Sequence, residues 1–497
     1  MFDFLKKRPM LLCAIVASAL SVMGIYSETA LLYFCPLLLF AIFMMFYNSV
    51  KGEIILAFIL VLAVGVSTLF SLKSVKQANL LDNLTCTGEF VVVEQPENHG
   101  DYYSTTLQTI NCGDLKKNSK IAVTFSSGEM HLGEYLNAKV KLSSLQESSA
   151  KYSYYSNNIL LRGYVKSHKS LDKSDFVLKT LGSIRSYIKE SIFEIYGNPE
   201  AATMVALLTG NKGYFTNDFY ANVKSAGVAH VMVVSGMHLS VIVALALYLT
   251  KKLFYNRYFK ALLILFVTLS VMAVCGFTMS IMRAGITYII MALALIIGRE
   301  NTPENTLGAA VSLILLFDPF AIKNVAFLLS VLSTFAILVV ALPASEYITK
   351  NILKKPFFAP IVSSVLISFS ALVFTSPITI YVFGYVSNVS VITNLLTSLA
   401  VSVAMYLCIL GFLIPFLKPL LFFLSSMVVK YINFVINYFG ELPFATINTP
   451  KWLAFVMVGV IVLILWLLIA CKEKQNVLLL REMRFKKYVE RGKIKWQ

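Results

Sequence analysis

The chain has 497 residues, of which 58% are hydrophobic and 14% are charged, with a formal net charge of +17. Soluble globular proteins have about 25% charged residues, so this composition excludes a soluble protein and predicts many membrane-spanning helices. Most of the Lys and Arg residues flank apolar segments at the ends that we expect on the cytoplasmic side. Membrane topology therefore explains the positive charge, which by itself does not indicate nucleic-acid binding.

Three apolar segments open the chain, at about 9–26, 30–47 and 54–72. Each reaches or approaches the roughly 17 to 25 apolar residues that a spanning helix needs. The first segment follows a basic N-terminus, as a signal peptide does, but it has no small-residue cleavage site, so we expect a retained helix. These segments predict an N-terminal region of three spans, residues 1–72, that takes the chain from the cytoplasm to the outer face.

A polar stretch follows at residues 73–172, and its alternating pattern predicts a domain of short β-strands on the extracytoplasmic side. The predicted strands lie near residues 88–95, 102–110, 119–126, 135–144 and 158–166. Five short strands in a compact module favour a small β-barrel, with the OB fold as the natural candidate.

Two cysteines, Cys86 and Cys112, flank the first predicted hairpin. If Gln95 lies opposite Tyr102, the two cysteines fall almost opposite one another. A disulfide between them is then compatible with an oxidising outer compartment. A bridge and two separate thiols both stay open, because two cysteines do not decide between them.

Residues 173–227 predict amphipathic helices that lie at the membrane interface. Between Val177 and Ile195, apolar residues recur at three- and four-residue steps among Lys, Arg and Glu, which is typical of an interfacial helix. Gly210 is suited to end the next helix and Thr216 to begin another.

Nine further apolar segments predict a second membrane region, residues 228–471, followed by a basic tail, residues 472–497. The segments begin near residues 230, 261, 278, 306, 325, 361, 390, 419 and 452. Together with the three N-terminal spans they make about twelve, so both termini are predicted in the cytoplasm. The expected fold is therefore a mainly α-helical, multi-pass membrane protein with an extracytoplasmic β domain.

Polar and charged residues occur inside several predicted spans, where they are unfavourable unless they are paired or face water. On a continuous helix, the two histidines, the serine and the first glycine of residues 227–238 share one face. Broken helices such as that predicted over 361–416 are found where a helix lines a cavity. We predict a polar vestibule open to the outside, lined by His230, Ser235, Gly236, His238, Arg283, Asp318 and Asn394.

Structural roles stay open for the same residues. Asp318, followed by Pro319, is also suited to cap the next helix, and Arg283 can instead pair with Asp318. Each histidine can be a buried residue with a hydrogen-bond partner. No carboxylate or cysteine accompanies the histidines at ligand spacing, so we expect neither a metal ion nor another cofactor.

The segment 207–241, in which A-G-x-A-H is followed by S-G-x-H, resembles the core signature of the ComEC-type competence proteins. Further similar segments are SIMRA (280–284), DPF (318–320), FLLSVLSTFAI (327–337) and FGYVSNVSVITNLL (383–396). The N-terminal spans and the β domain are also similar to the family's N-terminal region. The family often has a proline where this chain has Ala400. Many members carry a C-terminal metallo-β-lactamase-like domain, which we do not expect here.

The resemblance implies a channel in the bacterial cytoplasmic membrane that passes single-stranded DNA into the cytoplasm during natural transformation. It implies transport and not enzymatic activity. The implied partners are single-stranded DNA, membrane lipid, an external DNA receptor, a cytosolic ATP-driven helicase-like motor and a separate nuclease. The sequence contains no G-x-x-x-x-G-K-[ST] loop with which a P-loop ATPase would power transport.

Aromatic residues of the β domain are candidates for stacking on bases of the DNA. They are Phe90, Tyr102, Tyr103 and Phe125. Aromatic residues on strands are also common in a domain core, so both roles stay open.

Two other function classes stay open. The first is an intramembrane serine hydrolase with Ser235 as nucleophile and His238 or His230 as base, although residues three apart on one helix are poorly placed for this chemistry. The second is a small-molecule or lipid transporter, which fits the broken helices but gives no reason for the β domain.

Overall fold

The structure is a computed structural model of the chain. It describes residues 8–26, 51–98, 102–113, 115–126, 130–148, 150–232, 234–251, 256–299, 302–351, 356–468 and 470. Long helices form most of the structure. A β domain follows the first two of them and precedes the others.

Two apolar helices precede the β domain, α1 (Pro9–Tyr26) and α2 (Lys51–Asn79). They pack against one another. Helices that are apolar on every side suit a membrane or a protein interior, so two of the three predicted N-terminal spans are confirmed. The third, predicted at 30–47, lies outside the described residues.

The β domain contains six strands and one short helix. They are β1 (Thr85–Val92), β2 (Glu97–Asn98), β3 (Tyr103–Asn111), β4 (Lys120–Phe125), β5 (Glu134–Ser144), α3 (Lys151–Tyr155) and β6 (Ile159–Ser174). The strand order is β1-β5-β6-β4-β3-β2, and β1 also pairs with β3 over part of its length. Among the described strands, only the pair of β4 with β6 is parallel. The five predicted strands are confirmed, and a closed OB-type barrel stays a prediction.

The pairing of β1 with β3 corrects the register expected from the sequence. Val92 lies opposite Leu107 and Asn98 lies opposite Tyr103, so the expected pairing of Gln95 with Tyr102 is wrong. Cys86 lies opposite Val140 of β5. The register argument for a Cys86–Cys112 bridge therefore fails. Both cysteines are nevertheless buried in the same apolar core, and the bridge itself stays a prediction.

Four helices connect the β domain to the second membrane region. They are α4 (Phe176–Phe193), α5 (Glu200–Thr209), α6 (Asn217–Ser225) and α7 (Ala229–Met232). Gly210 ends α5 at a φ of +81°, which glycine adopts without strain. The Thr216 hydroxyl accepts a hydrogen bond from the Phe219 amide at the start of α6. Both boundaries match the sequence prediction.

α5 does not lie at a surface as an interfacial helix would. Nearly all of its residues are buried, because its side chains are almost uniformly small or apolar and no polar face is left to meet water. The Thr203 hydroxyl donates to the Asn433 side chain at 2.9 Å, which fixes α5 against a later membrane helix.

Five helices and a tight turn follow. The helices are α8 (Gly236–Thr250), α9 (Arg257–Val274), α10 (Met279–Ile297), α11 (Pro303–Phe317) and α12 (Val325–Asn351), with a 3-10 turn at Pro319–Lys323 between α11 and α12. The span predicted to start near residue 230 is instead divided into α7 and α8. The structural reason is the helix cap at Ser235, described below.

The last part of the described chain contains four helices and a small two-stranded sheet. They are α13 (Ala359–Phe383), β7 (Tyr385–Ser387), α14 (Ser390–Leu413), α15 (Lys418–Gly440), β8 (Thr446–Asn448) and α16 (Leu453–Leu468). The predicted interruption is confirmed at Gly384, which ends α13 at a φ of +76°. The strand β7 lies between α13 and α14 in the chain, and it pairs with β8.

Eight helices of the described chain are long and apolar enough to cross a membrane: α1, α2, α9, α10, α12, α13, α14 and α15. Four apolar helices are shorter: α5, α8, α11 and α16. The prediction of an α-helical membrane protein is confirmed. The predicted count of twelve spans is not confirmed. Three of the predicted spans are short helices, and a fourth lies outside the described residues.

The N-terminal helix is held against the second membrane region. A β-carbon on Gly308 of α11 would overlap the backbone of Met10 and Leu11 in α1, so the glycine allows the two helices to meet backbone to backbone. Arg8 forms an ion pair of 3.1 Å with Glu304 at the same contact.

The β domain rests on the turn between α11 and α12. The ring centroids of Tyr155 and Phe320 are 5.3 Å apart, and the Asn324 side chain donates to the Ser156 hydroxyl at 2.6 Å. Asn324 also caps α12 by accepting from the Phe327 amide. The β domain and the start of α12 are therefore joined through one buried side chain.

Candidate functional site

The S-G-x-H segment forms the cap of α8. The Ser235 hydroxyl accepts from the Met237 amide at 3.3 Å, and the Ser235 amide donates to Nδ1 of His238 at 3.2 Å. This is a capping box in which His238 occupies the position usually held by Glu or Gln. The helical path is broken before Ser235, so the predicted continuous helix with one polar face is wrong.

The cap places the two histidines on different helices. His238 is fully buried, and its Nε2 atom has no hydrogen-bond partner in the described part of the chain. His230 lies on α7 and is exposed. The sequence prediction that the two imidazoles share one helix face therefore does not describe this structure.

Arg283 is a buried cation close to the start of α8. Its side chain is 7% exposed, and its Nε atom donates to the Ser330 hydroxyl of α12 at 2.7 Å. A β-carbon on Gly236 would lie 3.0 Å from Nη2 of Arg283, so the glycine leaves room for the guanidinium over the first turn of α8. Across the described ranges, no carboxylate pairs with this charge.

Asp318 has the capping role that the sequence left open. One of its carboxylate oxygens accepts from the Phe320 amide at 3.0 Å and begins the 3-10 turn. The other oxygen is buried and has no partner among the described residues. Among the described residues, Asp318 also forms no ion pair with Arg283.

Asn394 joins two helices of the second membrane region. Its side-chain amide donates to the Ser368 hydroxyl at 2.6 Å, which links α14 to α13. Sequence reasoning selected Asn394 but missed both hydroxyl partners, Ser330 and Ser368. A serine inside a long apolar run is a signal for such a partner, but many serines occur there, so the sequence alone does not single out these two.

Five helices contact one another in a closed circuit. α8 packs against α10, α10 against α12, α12 against α13, α13 against α14, and α14 against α8. Wherever the chain is described, helices on opposite sides of this circuit do not pack closely together. We call these five helices the five-helix ring. α9, α11 and α15 pack against members of the ring.

The ring has a direction. α8, α10, α12 and α14 alternate along the chain with α9, α11 and α13, so we infer that these four run the same way and that α13 runs the opposite way. Gly236, Arg283 and Ser330 lie within the first two turns of α8, α10 and α12, and their proximity supports this direction for three of the helices. Four helix N-termini therefore point to one end of the ring, where their dipoles place partial positive charge.

The remaining motif segments meet at that same end. Gly227 has a φ of +74°, and a β-carbon there would overlap Ser390 and lie 2.7 Å from the Ser387 hydroxyl oxygen. The Ser387 hydroxyl donates to the Ser225 carbonyl at 2.8 Å. The A-G-x-A-H and F-G-Y-V-S-N-V-S segments, about 160 residues apart in the chain, are thus in direct contact.

The structure corrects the aromatic DNA-contact residues predicted in the β domain. Phe90 and Phe125 are 0% and 1% exposed, so they belong to the core and cannot stack on a base without its unfolding. Tyr103 is half-buried and stacks on Phe125 at 5.4 Å. Tyr102 alone among the four is exposed.

We expect Phe125→Ala to destabilise the β domain by about 3–5 kcal/mol, because it leaves a cavity in a packed core. Tyr102→Ala is the matched control and should change stability by less than about 0.5 kcal/mol, because that side chain is at the surface. Amide hydrogen exchange of β1, β3 and β5 in the full chain measures both. Equal protection in the two variants would contradict the core assignment.

Comparison with known proteins identifies the family. The sequence model described as "Competence protein" matches residues 207–474, which is more than half of the chain. The chain belongs to the competence protein family. The matched part contains the five-helix ring, Arg283 and the capped S-G-x-H segment, whereas the β domain lies outside it.

Two curated relatives are similar over part of the chain. The uncharacterized protein MG316 of Mycoplasma genitalium is 28% identical over 40% of this chain and 48% of its own length. The MG316 homolog of Mycoplasma pneumoniae is 28% identical over 36% of this chain and 43% of its own length. The chain spans about half the length of these relatives or slightly less. No solved structure matches.

Proposed function

We propose that the chain conducts single-stranded DNA through the five-helix ring, into the cytoplasm of a bacterium, during natural transformation. The observation that carries this proposal is Arg283, a buried guanidinium for which the described chain supplies no carboxylate. A buried charge without a counter-ion is strongly unfavourable. A path used by an anion gives this charge a partner when the anion is present.

The surroundings of Arg283 suit the phosphates of a nucleic acid. A polyanion cannot cross hydrocarbon, and it needs a wet path with cations and amide groups. Arg283 can bind a phosphate through two nitrogens, and four helix N-termini add partial positive charge at the same end of the ring. The family match to "Competence protein" supports the same role.

We place this end of the ring on the outer face of the cytoplasmic membrane. The β domain rests on the turn before α12 at the same end, and the basic segments that flank the apolar helices suit the opposite, cytoplasmic side. Both termini are then cytoplasmic. A cytosolic helicase-like motor, an external DNA receptor and a separate nuclease are the partners that this path requires.

We also propose an OB-type barrel for the β domain. β1, β3 and β4 pair in succession, β4 pairs in parallel with β6, and β5 pairs with both β6 and β1. This succession is what an OB-type module of five strands requires. The barrel supports an extracytoplasmic role next to the mouth of the ring.

A serine hydrolase is the second candidate, and one contact favours it. The Ser235 hydroxyl lies 3.1 Å from Nδ1 of His238, within reach of a nucleophile and its base. The same His238 nitrogen accepts from the Ser235 amide, however, and the serine hydroxyl accepts from Met237. The capping box therefore gives both side chains a structural role as hydrogen-bond acceptors.

A delivery assay tests the proposed function. Labelled DNA is supplied to a strain that lacks the gene and to the same strain complemented with the wild-type chain, with membrane levels checked by immunoblot. We expect the wild-type chain to restore delivery of label to the cytoplasm. If it is inserted at normal level with all partners present and restores nothing, the channel proposal fails.

The variant Ser235→Asn separates the channel from the hydrolase. Asparagine is as good a helix cap as serine but cannot act as a hydrolytic nucleophile, so a channel should keep delivery within about twofold of wild type. Ser240→Ala is the matched control, since this exposed serine only bonds to the Gly236 carbonyl one turn away. Lost delivery in Ser235→Asn alone, at normal membrane level, would favour the hydrolase.

A further inference from the structure

Three lysines cover two tyrosines on the helices that precede the ring. Nζ of Lys189 lies 5.0 Å from the ring centroid of Tyr214. Nζ of Lys212 and Nζ of Lys224 lie 5.9 Å and 4.2 Å from that of Tyr220. We call these five residues the lysine–tyrosine collar. Both tyrosines are half-buried, and Phe215 stacks on the Tyr220 ring at 6.4 Å. A base that stacks on Tyr220 therefore takes the place of a lysine that moves to a phosphate.

The collar stands beside the mouth of the ring. Gly210, at the start of the loop that carries Lys212, packs against Val234, which adjoins the cap of α8. The same region of the chain is bound to the start of α14, because the Ser225 carbonyl accepts from Ser387. The collar therefore borders two of the four helix N-termini that point to this end of the ring.

The positive charge of the collar is not neutralised by an ion pair. No salt bridge holds any of the three lysines in the residues that the structure describes. Burial and the neighbouring Lys224 lower the pKa of Lys212, whereas the carboxylate of Glu97 raises it. Two ammonium groups that share one tyrosine ring repel one another, so an added anion between them is favourable.

We propose that the lysine–tyrosine collar binds the incoming single strand before it enters the five-helix ring, with lysines on phosphates and Tyr220 stacked on a base. This inference rests on the proposed function and extends it to a second site outside the ring. Stacking on tyrosine requires an unpaired base, so the collar selects single strands over duplexes.

Binding of a fluorescein-labelled oligo(dT) to the full chain in nanodiscs of zwitterionic lipid tests the collar, with fluorescence anisotropy as the readout. The double variant Lys212→Ala, Lys224→Ala should bind at least tenfold more weakly. It should also lower the slope of log affinity against log salt by about 0.7 for each lost phosphate contact. The matched control is Lys451→Ala, which removes an exposed lysine 5.8 Å from the ring of Tyr381.

Tyr220→Ala tests the stacking step separately. It should weaken binding of oligo(dT) about tenfold while leaving binding of an abasic strand of equal length, and the salt slope, unchanged. A merely structural tyrosine would weaken both strands equally. Wild-type affinity and slope in the lysine double variant, or no binding by the wild-type chain at low salt, would overturn the inference.

The delivery assay distinguishes failure of the collar from failure of the channel. If the wild-type chain delivers DNA and the lysine double variant delivers it equally well at limiting DNA concentration, the collar is wrong and the channel stands. If the wild-type chain delivers none, the channel itself fails. We expect delivery by the double variant to fall about tenfold at limiting DNA and to recover at saturating DNA.

Discussion

Arg283→Ala is expected to reduce delivery of DNA to the cytoplasm by about tenfold to hundredfold, because a charged hydrogen bond to a phosphate contributes about 1.5–3 kcal/mol. The loss should not be one of folding. Arg283 is buried, its Nε atom donates to the Ser330 hydroxyl, and no carboxylate among the described residues pairs with it. When Arg283 is replaced, no buried carboxylate loses its partner, so the protein is not destabilised by an unpaired negative charge.

Two controls make the Arg283 result specific. Arg257→Ala removes an exposed arginine from the start of the neighbouring helix α9, outside the ring, and should deliver DNA like wild type. Arg283→Lys keeps the charge but loses the planar fork, and should fall between wild type and alanine. If Arg283→Ala is present at normal membrane level and delivers DNA like wild type, the five-helix ring is not the path.

The long helices were predictable because hydropathy is a local property of the sequence. The apolar run of α9 or α15 requires a membrane or a protein interior, whatever the arrangement of the rest of the chain. The strands of the β domain were predictable for a similar reason, since alternation marks a sheet with one buried face. The register of the strands was not predictable. The pairing of β1 with β3 depends on a turn whose geometry the sequence does not specify.

The cap at Ser235 shows how a periodicity argument fails. Residues around it are apolar on both sides, so counting at 100° per residue predicts one continuous helix. The competing signal was also local: Ser before Gly, with a polar residue three positions after the serine, is a helix start. His238 in that third position is unusual, and this is why the cap was missed.

The ring itself could not be derived from the sequence. It depends on which helices become neighbours, and contacts such as Gly236 with Arg283 or Gly227 with Ser390 join segments that are distant in the chain. Sequence reasoning found the buried arginine by its cost in hydrocarbon. It could not show that its hydrogen-bond partner is Ser330, because many serines occur in the apolar segments.

Gly227→Ala is expected to destabilise the protein by about 2–5 kcal/mol and to reduce delivery because less folded protein remains. A non-glycine residue at a left-handed φ costs about 1–2 kcal/mol, and overpacking adds about 1–3 kcal/mol. Both apply at Gly227, with its φ of +74° and its contact with Ser390 and Ser387. The unfolding midpoint of the detergent-purified chain on heating measures the loss.

Two further variants divide the cost at Gly227 into its parts. Asparagine tolerates a positive φ better than alanine but adds the same β-carbon, so Gly227→Asn should recover only the backbone part. Gly182→Ala in α4 is the matched control, since a β-carbon there meets nothing closer than 3.5 Å and alanine favours a helix. If Gly227→Ala unfolds at the wild-type temperature, the A-G-x-A-H segment is not held against α14 as the structure has it. The junction between α6 and the ring would then have to adapt, and the placement of the collar beside the mouth would lose its support.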